Sequence, residues 1–392
     1  MTANLISPEL ARQVLTSFQA RQQKIEESIK TLVEIESPSG NAEASRRVVD
    51  VIARAVEQFS CVSSVERIQV PGFGEHLVIE AFPEAQVNGQ VLLVGHTDTV
   101  HELGSLALRP WRREENRLYG PGAFDMKANC VMALEVLRTI ESLNATPPYG
   151  VTIVLTCDEE VGSQSGWPLI EQVAKRRNTR CAFVMEPPAP GGKVKTGRKG
   201  TGIFSIRVLG VAAHAGLEPE KGASAILELA RQTERLHAIN NSGSGISLNV
   251  GVVKGGTRSN VVAAEAEGEI DVRFSTENEL KEIEQLMQSV RAIDERTKVF
   301  VSGGINRPPL ERTPQVVELF ETARSVASMI DFELGEAQVG GASDGNFIAA
   351  MGVPVLDGLG IQGDGAHAIH EHICADDIAI RGTIVTGLVL SV

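Results

Sequence analysis

The sequence predicts an α/β protein that is interrupted by a smaller α+β domain, and three observations indicate this architecture. Apolar runs with the length of strands alternate with helical stretches as far as residue 186, which is typical of a sheet covered by helices. A segment rich in proline and glycine, residues 187–192, is followed by a different order of strands and helices. The pair Pro308-Pro309 then precedes a final helical and strand-forming region. We therefore predict a first domain of residues 1–198 and 307–392, with residues 199–306 inserted between its two parts.

The first domain is predicted to open with two amphipathic helices. Apolar residues recur at helical spacing from about Pro8 to Glu36, and Ser37-Pro-Ser-Gly40 ends this pattern. A second helix is expected from about Ala42 to Phe59. Ala128 to Leu143 has the clearest pattern of a helix that connects two strands.

The inserted region has the order strand, helix, strand, strand, helix, strand. The predicted elements are Gly202–Gly210, Gly222–His237, Ser247–Lys254, Ala263–Phe274, Glu277–Ile293 and Lys298–Ser302. This is the order of the split arrangement found in ferredoxin-like domains. About a hundred residues is also a usual size for a domain.

Composition and charge restrict the class of function. The formal net charge of −13 argues against a nucleic-acid or anionic-membrane partner, because such binding depends on basic side chains. The five cysteines show no Cys-x-x-Cys spacing, which predicts free thiols in a reducing compartment. The first residues lack the pattern of a secretory signal, and no apolar run approaches the roughly 20 residues that span a bilayer. We predict a cytoplasmic protein that acts on a small molecule.

Metal-binding side chains follow three of the predicted strands. The run Val91–Val94 leads to His96, Val151–Thr156 to Glu159 and Glu160, and Ala182–Met185 to Glu186. Ligands of open α/β sheets bind at the carboxyl ends of the strands, so these side chains are expected to meet in one crevice. Imidazole and carboxylate groups are ligands of zinc, and Co²⁺ or Mn²⁺ could replace it. We predict two Zn²⁺ ions held by His96, Asp125, Glu160, Glu186 and His367. If Asp125 bridges them, each ion has one further histidine and one further carboxylate.

Two further acidic residues are assigned other roles. Glu159 and Glu160 are adjacent, so in an extended segment their side chains diverge and only one is expected to bind metal. We assign Glu160 to the metal and Glu159 to general acid and base catalysis. Asp98 follows His96 by two residues, which places both on one side of a strand and lets the carboxylate orient the imidazole. For each acid alone, the simple alternative is a solvated carboxylate or a helix cap, and for His96 a buried histidine with satisfied hydrogen bonds.

Four motifs resemble those of the zinc-dependent aminoacylase/carboxypeptidase metallopeptidases. They are His96-Thr-Asp98-Thr-Val, Gly120-Pro-Gly-Ala-Phe-Asp125-Met-Lys127, Asp158-Glu-Glu-Val-Gly162 and Glu186-Pro. The family includes bacterial glutamate carboxypeptidase, which the chain resembles most, succinyl-diaminopimelate desuccinylase and acetylornithine deacetylase. The resemblance implies a mixed-sheet α/β zinc-exopeptidase catalytic domain with an inserted ferredoxin-like dimerisation domain. It also implies the five metal ligands named above.

The resemblance extends into the inserted domain. Ala213-His214-Ala-Gly216 implies that His214 polarises the scissile carbonyl across a homodimer, and the motifs around Asn260 and Arg273 imply that these two side chains hold the substrate carboxylate. Short flanking matches place Lys193 and Arg307 where glutamate-specific members carry basic residues, which favours a C-terminal Glu or Asp. In the family the glycine loop at Gly341 lines the substrate pocket. Without the resemblance, His214 reads as a loop residue, Arg273 as a charge at a strand edge and Lys193 as part of a solvated hinge.

Three alternatives remain open. His370 competes with His367 for the last ligand position, because both lie in one histidine-rich segment. Gly341-Ala-Ser343-Asp-Gly345 matches the nucleophile motif of serine hydrolases, with Asp357 or Asp364 and then His367 following in the order of a triad. A serine triad would leave the three glutamates without a role. A non-catalytic module that binds peptides or metal is the third alternative, and the presence of Glu159 argues against it.

The sequence thus predicts a two-zinc hydrolase, either a carboxypeptidase or an aminoacylase. The expected reaction releases an acidic, Glu-like amino acid from the C-terminus of a small peptide or an N-acyl amino acid. An N-acyl amino acid deacylase of the acetylornithine or succinyl-diaminopimelate type is the alternative. The predicted assembly is a homodimer formed through the inserted domain.

Overall fold

The computed structural model describes residues 5–392, and the chain divides into two compact units. Unit 1 comprises Met1–Gly197, Arg312–Val339 and Ser343–Val392, and unit 2 comprises Arg198–Glu311 and Gly340–Ala342. Unit 2 therefore begins one residue before the predicted insert, 199–306, and ends five residues after it. The reason is a pair of backbone hydrogen bonds that joins Arg198 to Leu310 and extends unit 2 beyond the predicted strands.

The helices and strands are numbered in chain order. The α-helices are α1 (Pro8–Val33), α2 (Ala42–Val56), α3 (Ser105–Leu108), α4 (Ala128–Ser142), α5 (Gly166–Arg176), α6 (Ala225–His237), α7 (Glu277–Ser289), α8 (Pro314–Ser328), α9 (Asp344–Ala350) and α10 (Asp377–Ser391). The strands are β1 (Val62–Val70), β2 (Gly74–Ala81), β3 (Gln90–His96), β4 (Arg112–Glu114), β5 (Arg117–Tyr119), β6 (Gly150–Thr156), β7 (Thr179–Val184), β8 (Val194–Arg198), β9 (Gly200–Leu209), β10 (Ser247–Gly255), β11 (Glu265–Phe274), β12 (Lys298–Arg307), β13 (Glu336–Val339), β14 (Val355–Leu356), β15 (Gly363–Asp364) and β16 (His372–Cys374).

Unit 1 is built on a mixed sheet with the strand order β1-β2-β6-β3-β7-β14. Strand β3 pairs in parallel with β6 and β7, whereas β1 and β2 run antiparallel to their neighbours. The residues of β3 and β6 are wholly buried, because helices cover this part of the sheet, and this explains their unbroken apolar sequences. Since β3, β6 and β7 are parallel, the residues that follow them lie at one edge of the sheet. Smaller sheets in this unit have the orders β13-β8 and β15-β16-β5-β4.

Unit 2 contains one antiparallel sheet with the order β10-β11-β9-β12. Helices α6 and α7 pack against it around a core that includes Ile206, Leu229, Phe274 and Ile283. This order of strands is that of a ferredoxin-like domain, as the sequence predicted. Among residues 5–392, none of the helices combines the length and the apolar composition that crossing a bilayer requires.

Several predicted element ends were wrong by a few residues. Helix α1 ends at Val33 rather than near Glu36, and α7 ends at Ser289 rather than at Ile293. Strand β12 continues to Arg307, although the prediction ended it at Ser302. Gly303 and Gly304, which follow the predicted end, are paired with residues of β9 inside the ladder.

Candidate metal centre

His96 is the last residue of β3, and its side chain is 1% exposed. Its Nδ1 atom lies 3.0 Å from the backbone oxygen of Asp98 and 3.4 Å from the Asp98 carboxylate. The backbone oxygen therefore shares the orienting role that the sequence assigned to the carboxylate alone. The opposite nitrogen, Nε2, lies 3.2 Å from Asp125 Oδ1 and 3.5 Å from Glu186 Oε1. With Nδ1 donating its proton to Asp98, Nε2 has its lone pair directed at this acidic group.

Asp125 lies in the irregular turn Ala123–Lys127 that precedes α4, and its peptide bond to Met126 is cis. Its two carboxylate oxygens face different histidines. Oδ1 is directed at His96, whereas Oδ2 lies 3.4 Å from Nε2 of His367. Asp125 is thus placed between the two imidazoles, which is the position a bridging ligand would need.

Glu160 and His367 complete the second half of the cluster. Glu160 Oε2 lies 3.2 Å from His367 Nε2. His367 has a left-handed backbone with φ of +63° in the loop between β15 and β16. His370, the competing histidine, is 60% exposed, and its nearest described acidic partner is Asp364 at 3.8 Å. The structure therefore brings His367, rather than His370, to Asp125 and Glu160.

The segment with Glu159 and Glu160 is not extended, so the premise used for their assignment was wrong. Residues Glu159–Val161 form a single 3₁₀ turn. Successive side chains of such a turn point about 120° apart, since it has 3.0 residues per turn. The two carboxylates still diverge, but for a different geometric reason.

These residues fit a pair of metal ions. His96, Asp125 and Glu186 form one group of ligand atoms, and Asp125, Glu160 and His367 form another, each within 4.8 Å. Two ligands of one tetrahedral zinc ion lie about 3.4 Å apart, as follows from bond lengths near 2.1 Å. The four contacts between imidazole and carboxylate measure 3.2, 3.5, 3.4 and 3.2 Å. Glu160 Oε1 is buried and has no hydrogen-bond partner among the described residues. The donor set and its spacing are those of a two-metal centre.

The electrostatics of the cluster are dominated by its carboxylates. Burial alone would raise the pKa of Asp125, but its hydrogen bonds with His367 and His96 outweigh burial and lower it. The hydrogen bonds of His367 with Asp125 and Glu160 raise the pKa of His367 to about 10. Burial raises the pKa of Glu160, against the opposing effect of His367. Three carboxylates around two imidazoles make this a site of negative potential, which favours cations.

Asp98 has a wider role than its sequence position suggested. It is 3% exposed, and its carboxylate accepts hydrogen bonds from the Ser39 hydroxyl at 2.6 Å and from the amides of Glu159 and Glu160, each at 3.2 Å. Asp98 therefore connects the loop after β3 to the turn that carries Glu159 and Glu160. Ser39 has no local signal of this role in the sequence, since its segment reads only as a break after α1.

The residues assigned to substrate binding lie mostly in unit 2. His214 is exposed and its Nδ1 accepts the amide of Gly216, and Asn260 is exposed in the loop between β10 and β11. Arg273 donates two hydrogen bonds of 2.8 Å to Asp271, so its planar group already holds a carboxylate. Arg307 is 9% exposed at the end of β12, and Gly341 accepts a hydrogen bond from Arg198. Lys193 belongs to unit 1, where it is exposed in a hairpin turn.

Ser343, the candidate nucleophile of the serine alternative, is fully buried at the N-terminus of α9. Its hydroxyl donates to Asp357 at 2.6 Å and accepts the amide of Gly345. His367, the candidate base of that triad, contacts Asp125 and Glu160. Ser343 therefore acts as a helix cap in this structure.

Comparisons with known proteins found relatives in sequence and in fold. A model of peptidase family M20/M25/M40 matches residues 92–391. Carboxypeptidase G2 from Pseudomonas sp. is 28% identical over 362 residues, which cover 90% of this chain and 85% of the relative. A succinyl-diaminopimelate desuccinylase from Acidovorax ebreus is 30% identical over 309 residues, which cover 74% of this chain and 76% of the relative.

Solved structures share the fold. Aminopeptidase PepT from Bacillus cereus has a TM-score of 0.78 at 21% identity, and the match covers 94% of this chain and 98% of that one. The YxeP protein from Bacillus subtilis, described as a dinuclear metal binding peptidase, has a TM-score of 0.70 at 14% identity over 95% of this chain and 98% of that one. The fold class predicted from the sequence is confirmed.

Proposed function

We propose that the chain, which belongs to peptidase family M20/M25/M40, is a two-metal amidohydrolase. It would release a C-terminal amino acid from a small peptide or an N-acyl amino acid. The family makes it a metallopeptidase or an aminoacylase. The observation that carries the proposal is the position of Asp125, whose two oxygens face His96 and His367 in two adjoining groups of ligands. The residues that would hold two Zn²⁺ ions are His96, Asp125, Glu160, Glu186 and His367.

Side chains of the protein would transfer the proton and help to polarise the carbonyl. A bound metal pair would supply a Lewis acid for the amide carbonyl and a water of lowered pKa. Glu159, fixed by the bond from its amide to Asp98, would take a proton from water and return it to the leaving nitrogen. His214 would polarise the carbonyl as a hydrogen-bond donor, in keeping with the resemblance in its motif.

The proposed substrate has an acidic C-terminal residue. Its support is the likeness to carboxypeptidase G2 together with the basic and amide side chains Lys193, Asn260, Arg273 and Arg307. Arg273 donates to Asp271 through Nε and Nη2, so a substrate carboxylate would bind the remaining N–H groups on Nη1 and Nη2. A deacylase for an N-succinyl or N-acetyl amino acid is the alternative, and the similarity to desuccinylases favours it.

A homodimer formed through unit 2 is part of the proposal. The apolar side chains Ile226 and Leu227 of α6 and Val252 and Val253 of the edge strand β10 are 40% to 57% exposed. An edge strand beside exposed apolar residues is suited to pairing with a second copy. The proposed location is the cytoplasm, in agreement with the five cysteines, which are all unpaired.

Substitution of the two adjacent glutamates tests the mechanism. Glu159→Gln is expected to keep both metal ions and to lose turnover, whereas Glu160→Ala is expected to lose metal. Metal content is measured directly, and turnover is measured on N-acyl amino acids that differ only in the C-terminal residue. Glu171→Gln, on the exposed face of α5, is the matched control. Normal turnover by Glu159→Gln would overturn the mechanism, and equal rates for acidic and neutral C-terminal residues would overturn the substrate class.

A further inference from the structure

A buried carboxylate outside the proposed ligand set holds the turn that carries Asp125. Glu371 is 3% exposed, and its Oε1 accepts the amides of Phe124 and Asp125, each at 2.9 Å. Its Oε2 accepts the amide of Gly122 at 2.8 Å. One carboxylate thus accepts three backbone amides of a turn that lies 246 to 249 residues away in the chain.

Glu371 is itself held by a histidine and an arginine. His101 Nε2 is hydrogen-bonded to Glu371 Oε2, and His101 is 8% exposed. Arg109 Nη2 lies 3.4 Å from His101 Nδ1, and a guanidinium can only donate. Nδ1 of His101 is therefore the acceptor of the Arg109 contact, and Nε2 donates to Glu371.

The same arginine reaches the loop of the second proposed histidine ligand. Arg109 Nη1 donates to the backbone oxygen of Ala368 at 3.4 Å, and Ala368 directly follows His367. The network Arg109–His101–Glu371 thus contacts the turn of Asp125 and the loop of His367. Asp125 and His367 are 3.4 Å apart at their nearest side-chain atoms, so a small displacement of either backbone would change the geometry of the ligand group they share. A displacement of Asp125 would change both groups, because Asp125 belongs to each of them.

We propose that Glu371, fixed by His101 and Arg109, is a positioning residue that sets the place of Asp125 between His96 and His367. The inference rests on the proposed metal centre, and it concerns residues that do not bind metal themselves. Partners that orient metal ligands typically change metal affinity or activity 10- to 100-fold when they are removed, by about 1.4 kcal/mol for each factor of ten.

Glu371→Gln is the central test. Glutamine keeps one acceptor oxygen, but its amide nitrogen would face donors at either position. In place of Oε2 it would face the Gly122 amide and His101, and in place of Oε1 the amides of Phe124 and Asp125. Binding of Co²⁺ to the metal-free protein is measured by calorimetry, and the absorption spectrum of bound Co²⁺ reports the ligand geometry. We expect at least one of two Co²⁺ ions to bind about 10- to 100-fold more weakly, with a changed spectrum.

The matched control is Glu228→Gln in unit 2. Glu228 is 1% exposed and accepts the amides of Ile293 and Asp294, so the same substitution removes a comparable buried carboxylate. We expect its Co²⁺ binding to equal that of the unsubstituted protein. His101→Ala should weaken Co²⁺ binding, and His101→Gln should restore it in part, because glutamine can donate from nearly the position of Nε2.

The outcomes are distinct. Glu371→Gln with unchanged Co²⁺ affinity and spectrum overturns the inference and leaves the proposed function intact. If Glu371→Gln fails to fold, His101→Ala and Arg109→Ala decide, and unchanged Co²⁺ binding in both overturns the inference. An unsubstituted protein that binds no Co²⁺ overturns the proposed function, and this inference with it.

Discussion

Removing the Asp98 carboxylate is expected to disturb both stability and turnover. In Asp98→Ala, the Ser39 hydroxyl and the amides of Glu159 and Glu160 lose their acceptor. A hydrogen bond to a charged acceptor contributes about 1.5 to 3 kcal/mol, so three bonds set an upper range of about 4.5 to 9 kcal/mol. Water can reach the half-buried turn of Glu159 and Glu160, and we therefore expect a loss of about 3 kcal/mol in the free energy of unfolding. Ser39→Ala, which removes one of the bonds, should cost about 1 kcal/mol.

Turnover should respond more strongly than stability. The turn of Glu159 and Glu160 is tied to the loop after His96 through Asp98, so kcat is expected to fall about 10- to 100-fold in Asp98→Ala. Urea unfolding of the metal-free protein and steady-state kinetics are measured on the same preparations. Asp50→Ala is the control, because Asp50 is 42% exposed in an ion pair with Arg67 and should contribute less than about 1 kcal/mol. A destabilised Asp98→Ala enzyme with kcat within about twofold of the original would refute the positioning role.

Three further outcomes are expected. Dialysis against a chelator should abolish turnover and added Zn²⁺ should restore it, while a serine-directed reagent should have no effect; activity that survives chelation would contradict the metal assignment. Gly89→Ala should lower the free energy of unfolding by more than about 2 kcal/mol in urea titrations, because Gly89 has φ of +114° and a Cβ atom would lie 2.2 Å from the Asn178 oxygen; an unchanged midpoint would contradict this. Burial would raise the pKa of Glu228, but hydrogen bonds from Gln232 and from the amides of Ile293 and Asp294 lower it below the ordinary 4.5. Its stabilising effect is therefore present above that value and is lost as the pH falls below it, so Glu228→Gln should show less acid destabilisation than the original protein.

The sequence was sufficient to place most of the site in unit 1. The apolar runs before His96, Glu160 and Glu186 form β3, β6 and β7, and these strands are parallel neighbours. His96 is the last residue of β3, and the two glutamates lie shortly after β6 and β7. Parallel pairing makes their carboxyl ends meet, so a local pattern was enough to predict a long-range arrangement.

Other contacts had no local signal or one that was overlooked. The histidine-rich segment offers both His367 and His370, and no local pattern shows that His367, in a loop where its backbone is left-handed, is the one that reaches Asp125. The bonds of Glu371 join residues about 250 positions apart, which no spacing rule reveals. The pair of Asp271 and Arg273 could have been predicted, because residues two apart on a strand share one face.

The cluster around Asp125 is better explained by bound cations than by a structural network of ion pairs. Three carboxylates face two imidazoles, so the group retains net negative charge even when both histidines are protonated. Buried ion pairs are stable only when their remaining hydrogen-bonding atoms are satisfied, and leaving one unsatisfied is costly. Here Glu160 Oε1 is buried without a hydrogen-bond partner in the described part of the chain. A cation at each group of ligands would supply both the missing charge and the missing partner, whereas additional protons would remove the charge and leave the spacing of the ligands unexplained.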